Sequence, residues 1–253
     1  MALIVAVSNQ KGGVGKTTTT ANLGAALFHL GRKILLVDMD PQANLTSAFG
    51  LNGQMDATVA EALLDRKVRL PIASIALNGE ARLDIVPSSL SLASAEAALM
   101  NKLGRELRLR DQLALVADPY EFIIIDTPPS LGILTINALV AANGVVIPTE
   151  ARLFSLQGLQ MLQDSIEEIL YLNPKLKVLG ILLSKLDRRL KEERLVTSYL
   201  RERWGTQVFQ TEIGTNSKIL EAASSGTSVF SYAGAEKAAE AYLCLAGEVL
   251  RGG

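Results

Sequence analysis

The chain has 253 residues, of which 49% are hydrophobic and 20% charged, so it can build a sizeable core and is neither disordered nor collagen-like. Lysine and arginine number 25 against 26 aspartate and glutamate, and the formal net charge of −1 excludes a globally basic nucleic-acid binder. Any nucleic-acid surface would therefore be a local patch. One cysteine, Cys244, and one histidine, His29, exclude an intrachain disulfide framework and a multi-histidine metal site.

The N-terminal stretch Met1–Ser8 is apolar over too few residues for a signal peptide, and no run of about 18 apolar residues predicts a membrane span. We therefore expect a cytoplasmic protein without stable membrane association. Cys244 lies in an apolar helical pattern and is expected in the core. His29 is expected at or near the surface.

Short apolar runs alternate with helical patterns along the chain. The strong runs are apolar throughout, which is typical of a parallel sheet buried on both faces. The pattern predicts an α/β fold, a single doubly wound, mostly parallel sheet flanked by helices, with ligands at the carboxyl ends of the strands. The predicted strands are Ala2–Ser8, Lys33–Asp38, Leu83–Val86, Phe122–Asp126, Gly144–Pro148, Val178–Ser184 and Val208–Ile213. The predicted helices are Lys16–Leu30, Thr58–Leu64, Ser91–Leu115, Leu131–Ala142, Leu156–Leu172, Lys191–Trp204, Ser217–Ser224 and Ala235–Leu250.

A glycine-rich loop follows the first predicted strand. It fits the phosphate-loop pattern G-x-x-x-x-G-K-[ST], except that Gln10 replaces the leading glycine. Glycines allow close backbone approach, and the loop amides and helix N-terminus can then cradle phosphate oxygens. Lys16 would neutralise the β- and γ-phosphates of ATP, and Thr17 would ligate Mg²⁺. The ATP-binding residues predicted in this loop are Lys11, Gly12, Gly13, Val14, Gly15, Lys16, Thr17 and Thr18.

Carboxylates close two of the predicted strands. Asp38 and Asp40 end the second strand, and Asp126 ends the strand Phe122–Asp126, which has the form of a Walker B strand. A buried strand that ends in a carboxylate beside a phosphate site can serve Mg²⁺ or a water molecule, and Asp126 would hold Mg²⁺ through a coordinated water. The alternatives are helix capping by Asp38 and Asp40 and a plain strand-end carboxylate at Asp126.

The string Gln10–Thr18 resembles the deviant Walker A motif of the ParA/MinD group of P-loop ATPases, with Lys11 as its additional lysine. Residues 37–42 and 126–132 resemble the switch I and switch II regions of that group. The resemblance implies an ATP-bound sandwich dimer in which Lys11 contacts the nucleotide of the partner subunit. It implies that Asp40 activates the attacking water and that Asp38 lies near the Mg²⁺ shell. The catalytic residues would be Lys11, Lys16 and Asp40.

The resemblance covers most of the chain and implies a single ATPase domain over residues 1–253, of the short Soj-like form without an N-terminal helix-turn-helix extension. Such ATPases segregate a chromosome or plasmid. Their ATP-bound dimer binds DNA without sequence preference on the nucleoid, and a ParB-like partner stimulates slow hydrolysis and release. The loop Ile213-Gly214-Thr215-Asn216 replaces the Ile-Pro-Arg-Asn of many relatives, and by resemblance Gly214 and Asn216 help to hold adenine.

A local basic patch is available for DNA. Residues 185–203 contain seven basic and four acidic residues, a net charge of +3, although an ordinary solvated helix face would look the same. Contacts to DNA phosphates would make the binding salt-dependent. The residues predicted to contact DNA are Lys185, Arg188, Arg189, Lys191 and Lys218.

Three other functions remain open on the sequence. The same ATPase could position a protein cargo rather than a replicon. A MinD-like membrane ATPase is less favoured, since residues 241–253 contain one arginine, one glutamate and no lysine. An iron–sulfur reductase of the nitrogenase iron-protein type is disfavoured because a cluster shared across a dimer needs two cysteines from each chain.

Overall fold

The computed structural model describes residues 2–51, 55, 57–78 and 81–252, which form one central sheet with helices on both faces. The strand order is β3-β4-β2-β5-β1-β6-β7-β8, in which β3 is antiparallel to β4 and every other pair is parallel. The mostly parallel, doubly wound sheet predicted from the sequence is therefore confirmed. The strands are β1 (Leu3–Val7), β2 (Ile34–Asp38), β3 (Ala73–Asn78), β4 (Ala81–Val86), β5 (Phe122–Asp126), β6 (Gly144–Thr149), β7 (Lys177–Leu186) and β8 (Val208–Gly214).

The helices cover the two faces of the sheet and bury alternate residues of the strands. On one face α1, α2, α9 and α10 pack over Val5, Leu36 and Ile124; on the other, α3 to α8 pack over Ala6 and Ile125. The helices are α1 (Lys16–His29), α2 (Asn44–Ala48), α3 (Val59–Leu64), α4 (Ser91–Leu99), α5 (Arg108–Leu113), α6 (Ile133–Ala141), α7 (Leu153–Ile169), α8 (Lys191–Trp204), α9 (Ser217–Ser224) and α10 (Glu236–Gly252).

One expectation about the elements was wrong, and two elements were not predicted. The predicted helix Ser91–Leu115 is divided into α4 and α5, because Gly104 takes a φ of 61° and starts a short 3₁₀ turn before α5. The antiparallel edge strand β3 and the short helix α2 were not predicted. Both are brief, and neither shows a hydrophobic period long enough to read from sequence.

The expectation that Cys244 is buried was also wrong, because its side chain is exposed. The buried stripe of α10 runs through Tyr242, Leu245 and Val249, and Cys244 lies off that stripe. His29 is exposed at the end of α1, as predicted, and its ring stacks on Phe230 with 5.3 Å between centroids. In the part of the chain that the structure describes, no helix is long and apolar enough to cross a membrane.

The packing of β7 against β8 gives a test of the fold. A Cβ atom added at Gly180 would lie 2.5 Å from the buried ring of Phe209, whereas one added at Gly158 in α7 would meet nothing within 4 Å. We expect Gly180→Ala to lower the free energy of unfolding by about 1–3 kcal/mol through overpacking. Gly158→Ala, the matched control, should raise it by about 0.5–1 kcal/mol because alanine favours a helix. Urea denaturation measures both, and equal effects would contradict this packing.

Candidate functional site

The sheet register brings the predicted site residues to one edge. Val7 of β1 is paired with Asp126 of β5, and Asp126 is paired with Asp38 of β2. The loop after β1 therefore lies beside β5, which ends in Asp126, and one strand away from β2, which ends in Asp38. Because all three strands are parallel and central, their carboxyl ends open into the same cleft.

The conformation of the phosphate loop, residues 8–18, depends on its glycines and on a hydrogen bond from β7. Gly13 and Gly15 take φ angles of 77° and 88°, which residues with a Cβ rarely adopt, and α1 begins immediately afterwards at Lys16. The Ser184 hydroxyl donates to the carbonyl of Val14 at 2.7 Å. The loop is thus held with a helix N-terminus at its end, the arrangement that binds anions.

Lys16 places a buried amine beneath this loop. Its side chain is only 6% exposed, and its ammonium donates to the carbonyl of Lys11 at 3.1 Å. Burial lowers the pKa of Lys16, while the nearby carboxylates of Asp126 and Asp40 act in the opposite direction. An anion bound on the loop would provide the charge partner that this buried amine favours.

Asp126 is fully buried and bound to two threonines of α1. Its carboxylate accepts from the Thr17 hydroxyl at 2.7 Å and from the Thr20 hydroxyl at 3.2 Å. Burial raises the pKa of Asp126 well above its usual value, and the adjacent charge of Asp38 raises it further. A cation at this position would relieve the repulsion between the two carboxylates.

Asp38 fixes the segment that follows β2. It accepts from the backbone N–H and the hydroxyl of Thr46, at 2.9 and 2.7 Å, and from the backbone N–H of Asp40 at 3.1 Å. Burial, the largest effect, raises the pKa of Asp38 to about 6 despite these hydrogen bonds. These contacts orient residues 40–46, so Asp38 acts on the cleft mainly by positioning its neighbours.

Asp40 lies in the cleft on the segment that Asp38 holds. It is 6% exposed, accepts from the backbone N–H of Gln42 at 2.9 Å, and receives a hydrogen bond from the Ser88 hydroxyl on its own carbonyl at 2.8 Å. Its carboxylate borders the same cavity as Lys16. It is therefore placed to reach a water molecule beside an anion on the loop.

Two cavities meet at the phosphate loop. The phosphate-loop cavity has a volume of about 270 Å³, and the Gly214 cavity beside it has a volume of about 360 Å³. They share Gly15, Thr18 and Lys185. The first is lined by Gly12, Gly13, Gly15, Lys16, Thr17, Thr18, Asp40, Gln42, Asn44, Pro129 and Lys185. The second includes Gly214 and Asn216, so the structure brings this predicted pair against the loop, together with Ile213, Leu220 and the buried ring of Tyr242.

Lys11 points along the surface at the edge of the cleft. Its side chain is 36% exposed, and its ammonium lies 3.5 Å from Glu150, which Arg152 also approaches at 3.5 Å. The Lys11 backbone N–H donates to the Asn9 side chain at 3.0 Å, which fixes the start of the loop. The side chain therefore lies within its own subunit in this structure.

The residues predicted for magnesium form a set of hard oxygen donors. Thr17 and Asp126 lie in contact, and Asp38 is next to Asp126 in the sheet. Within the described ranges, no three His, Cys, Asp or Glu side chains are grouped to hold a metal alone. The contact between the Thr17 hydroxyl and the Asp126 carboxylate fits Mg²⁺, which takes one or two protein oxygens and fills its shell with waters and phosphates.

The five residues predicted for DNA do not form one free patch. Arg188 pairs with Glu212 at 2.5 Å, Arg189 with Asp187 at 2.7 Å, and Lys218 with Glu221 at 2.7 Å. Lys191 begins α8 and is exposed. Lys185 instead donates to the carbonyl of Gly13 in the phosphate loop. Four of the five thus remain on the outer surface, and Lys185 belongs to the rim of the cleft.

Sequence reasoning missed several polar residues that build the cleft. Thr46 and Ser88 hold the segment around Asp40, Thr20 binds Asp126, and Glu150 meets Lys11. Glu150 directly follows β6, so the strand-end rule that found Asp126 could have found it. Thr46 and Ser88 carry no such signal, because their role depends on how two separate loops meet.

The chain is similar to several known proteins over its full length. A family model described as an AAA domain matches residues 2–178. The sporulation initiation inhibitor protein Soj of Bacillus subtilis is 40% identical over 255 residues, covering 100% of both chains. The chromosome partitioning protein ParA of Myxococcus xanthus is 42% identical over 98% of this chain and 88% of its own. The crystal structure of cobyrinic acid a,c-diamide synthase from Mycobacterium smegmatis, with bound ADP and magnesium, is 34% identical with a TM-score of 0.85 over 99% of this chain and 95% of that one.

The buried carboxyl of Asp38 predicts a pH dependence of stability in the nucleotide-free protein. Burial raises its pKa to about 6 in the folded protein, whereas the ordinary value of 3.8 applies to the unfolded chain. Between these two pH values the folded protein therefore holds more protons than the unfolded one. Stability from this group is therefore lost as the pH rises from about 4 to about 6. Asp38→Asn should flatten that part of the curve, a change on the order of 1–3 kcal/mol across the window.

Urea denaturation of the two proteins across this pH range, without nucleotide or Mg²⁺, measures the difference. Asp164→Asn, which changes an exposed carboxyl on α7, serves as the matched control and should leave the slope in place. Parallel curves for the parental protein and Asp38→Asn would contradict the burial argument.

Proposed function

The chain belongs to the ParA family of P-loop ATPases, and we propose that it is an ATP-dependent partition ATPase that moves DNA by binding it as an ATP-bound dimer. The observation that carries the proposal is the cleft itself, in which a buried lysine, a glycine-shaped loop, the strand-end carboxylates of Asp38 and Asp126 and the nearby Asp40 converge. The full-length similarity to Soj and to ParA proteins supports the partition role.

Nucleotide binding follows from the two adjoining cavities. The triphosphate lies on the phosphate loop over Lys16, and the adenosine occupies the Gly214 cavity, whose lining includes Ile213 and Leu220. Glycine at 214 and threonine at 215 leave more room here than the Pro-Arg of many relatives. Thr17, and Asp126 through a water, would hold Mg²⁺, which would supply positive charge to neutralise the phosphates.

Hydrolysis requires a water molecule in line with the γ-phosphate. Asp40 borders the phosphate-loop cavity and is held by Asp38, Gln42 and Ser88, so it can orient this water and accept its proton. The lining of this cavity, within the described chain, contains lysines but neither arginine nor histidine. Turnover by the isolated protein is therefore slow, and a ParB-like partner accelerates it by reordering the cleft or adding a cation.

Dimerisation is the step in which Lys11 acts. In the ATP-bound dimer its ammonium leaves Glu150 and contacts the phosphates of the nucleotide in the partner subunit. A 3.5 Å ion pair with a partly exposed lysine is worth only about 0–1 kcal/mol, so phosphate oxygens can replace Glu150 at little cost. ATP thereby becomes part of the contact between two subunits, and ADP, lacking the γ-phosphate, does not complete it.

DNA binding uses the exposed cations near the β7–α8 turn. Arg188 and Arg189 have side chains 76% and 89% exposed, so their ion pairs can yield to DNA phosphates. Lys191 follows them at the start of α8, and Lys218 lies on α9, further along the chain. A net charge near zero fits this scheme, because each monomer binds DNA weakly and the dimer combines the basic patches of two subunits. The protein would then associate with the nucleoid in the cytoplasm.

Two related functions use the same ATPase. Transport of a protein cargo over the nucleoid shares every step except the attached load. Membrane binding in the manner of MinD is less well supported, because the apolar stripe of α10 is used inside the protein, where Tyr242, Leu245 and Val249 are buried.

DNA retention as a function of nucleotide and salt tests the proposal. We expect the parental protein to bind a non-specific duplex with Mg²⁺ and ATP, only weakly with ADP or without nucleotide, and less as salt rises, because counterions compete for DNA phosphates. Lys11→Ala should still bind ATP yet lose ATP-dependent dimerisation and DNA retention.

Lys33→Ala, an exposed lysine at the opposite end of the sheet, is the control and should behave as the parental protein. DNA binding that is indifferent to the nucleotide, or binding to anionic vesicles in place of DNA, would contradict the partition role. A normal ATP-dependent dimer of Lys11→Ala in light scattering would contradict the role of Lys11.

A further inference from the structure

Lys185 has a backbone conformation that a lysine seldom adopts. It lies at the carboxyl end of β7 with a φ of 54°, and Ala43 is the one other non-glycine residue with positive φ in the described part of the chain. This left-handed region is unfavourable for residues with a Cβ, so it persists only where the surroundings impose it. Strain of this kind is often found where a side chain must be aimed at a ligand.

The turn around Lys185 is tied to both sides of the cleft. Its carbonyl accepts from the Thr215 hydroxyl at 2.9 Å, and the Leu186 carbonyl accepts from the Thr215 backbone N–H at 3.1 Å. The preceding residue, Ser184, donates to the carbonyl of Val14 at 2.7 Å. The strained residue is therefore fixed between the phosphate loop and the loop that lines the Gly214 cavity.

The ammonium of Lys185 is aimed into the cleft from this fixed turn. It donates to the carbonyl of Gly13, and the side chain lines both the phosphate-loop cavity and the Gly214 cavity. In the proposed binding mode the adenosine occupies the Gly214 cavity and the phosphates occupy the phosphate-loop cavity. A lysine that borders both cavities therefore lies beside the phosphates that are attached to the nucleoside. The carbonyl is a neutral acceptor, whereas phosphate oxygens form stronger, charge-assisted hydrogen bonds with an ammonium.

We propose that Lys185 is a phosphate-binding residue of the nucleotide site, which moves its ammonium from the Gly13 carbonyl to the phosphates next to the nucleoside when a nucleotide binds. This inference rests on the proposed function only in requiring that the cleft bind a nucleotide. It assigns Lys185 to the bound nucleotide of its own subunit rather than to DNA. Because the contact is with the phosphates near the nucleoside, it serves ADP and ATP equally.

Calorimetric titration of Mg²⁺-ADP and Mg²⁺-ATP, without DNA, tests this role. Lys185→Met keeps the length of the side chain but removes its charge, and should weaken both nucleotides by the same factor, about tenfold. Lys185→Arg should stay within about threefold of the parental affinity because it restores the cation. Lys185→Gly removes the ammonium together with the backbone strain, so it should lose affinity as Lys185→Met does while relieving the left-handed conformation.

Lys177→Met is the matched control, since it removes an exposed lysine from the opposite end of the same strand and should leave both affinities unchanged. Affinities of Lys185→Met within twofold of the parental values, or a loss for ATP alone, would overturn the role of Lys185 while leaving the proposed function intact. If the parental protein binds neither nucleotide, the proposed function itself fails.

Discussion

The burial of one ammonium among three carboxylates is the constraint on which the rest of the structure depends. Lys16 is 6% exposed, Asp38 and Asp126 are fully buried, and Asp40 is 6% exposed. Ionised groups lose hydration when buried, so such a cluster is costly unless each charge is paired or hydrogen-bonded. The phosphate loop and the loop after β2 supply these partners, and an anion with a divalent cation would complete the balance of charge.

The fold supplies this cluster by placing β1 between β5 and β6 and β5 between β1 and β2. The apolar strands fix the positions of their last residues, so that a loop, a lysine and two aspartates meet without any flexible segment having to bring them together. Helices on both faces bury the strands, and the fixed edge of the sheet becomes the binding surface. The surface charges need no such precision, and their ion pairs with Glu212, Asp187 and Glu221 are solvent-facing on at least one side.

The central strands and the phosphate loop could be predicted because their signals are local. The run Phe122–Asp126 has the predicted bounds as β5, and Asp38 ends β2 as expected. The break at Gly104 was missed because a helical hydrophobic pattern continues across it, although the glycine was a signal. Cys244 was wrongly predicted to be buried. In an apolar helix the sequence does not show which face is buried until the elements that pack against it are known, here α1 and β8.

The role proposed for Lys185 shows that local sequence patterns are also insufficient to predict some functional residues. In the sequence it belongs to a run of basic residues after a strand, and charge alone favours a surface that binds nucleic acid. Its aim toward Gly13 depends on a left-handed turn and on the distant Thr215, which no local pattern reveals. Conversely, the role proposed for Lys11 in a dimer rests on family resemblance, and in this structure its side chain contacts Glu150.

The heat of Mg²⁺-ATP binding to the parental protein and to Lys16→Ala measures how far nucleotide binding depends on the buried amine. We expect binding by the parental protein and a loss of about 100-fold or more in Lys16→Ala, because the buried amine provides the main positive charge under the phosphates. A circular dichroism melt would verify that the variant is folded. Equal affinity of the two folded proteins for Mg²⁺-ATP would show that the buried amine of Lys16 does not bind the phosphates.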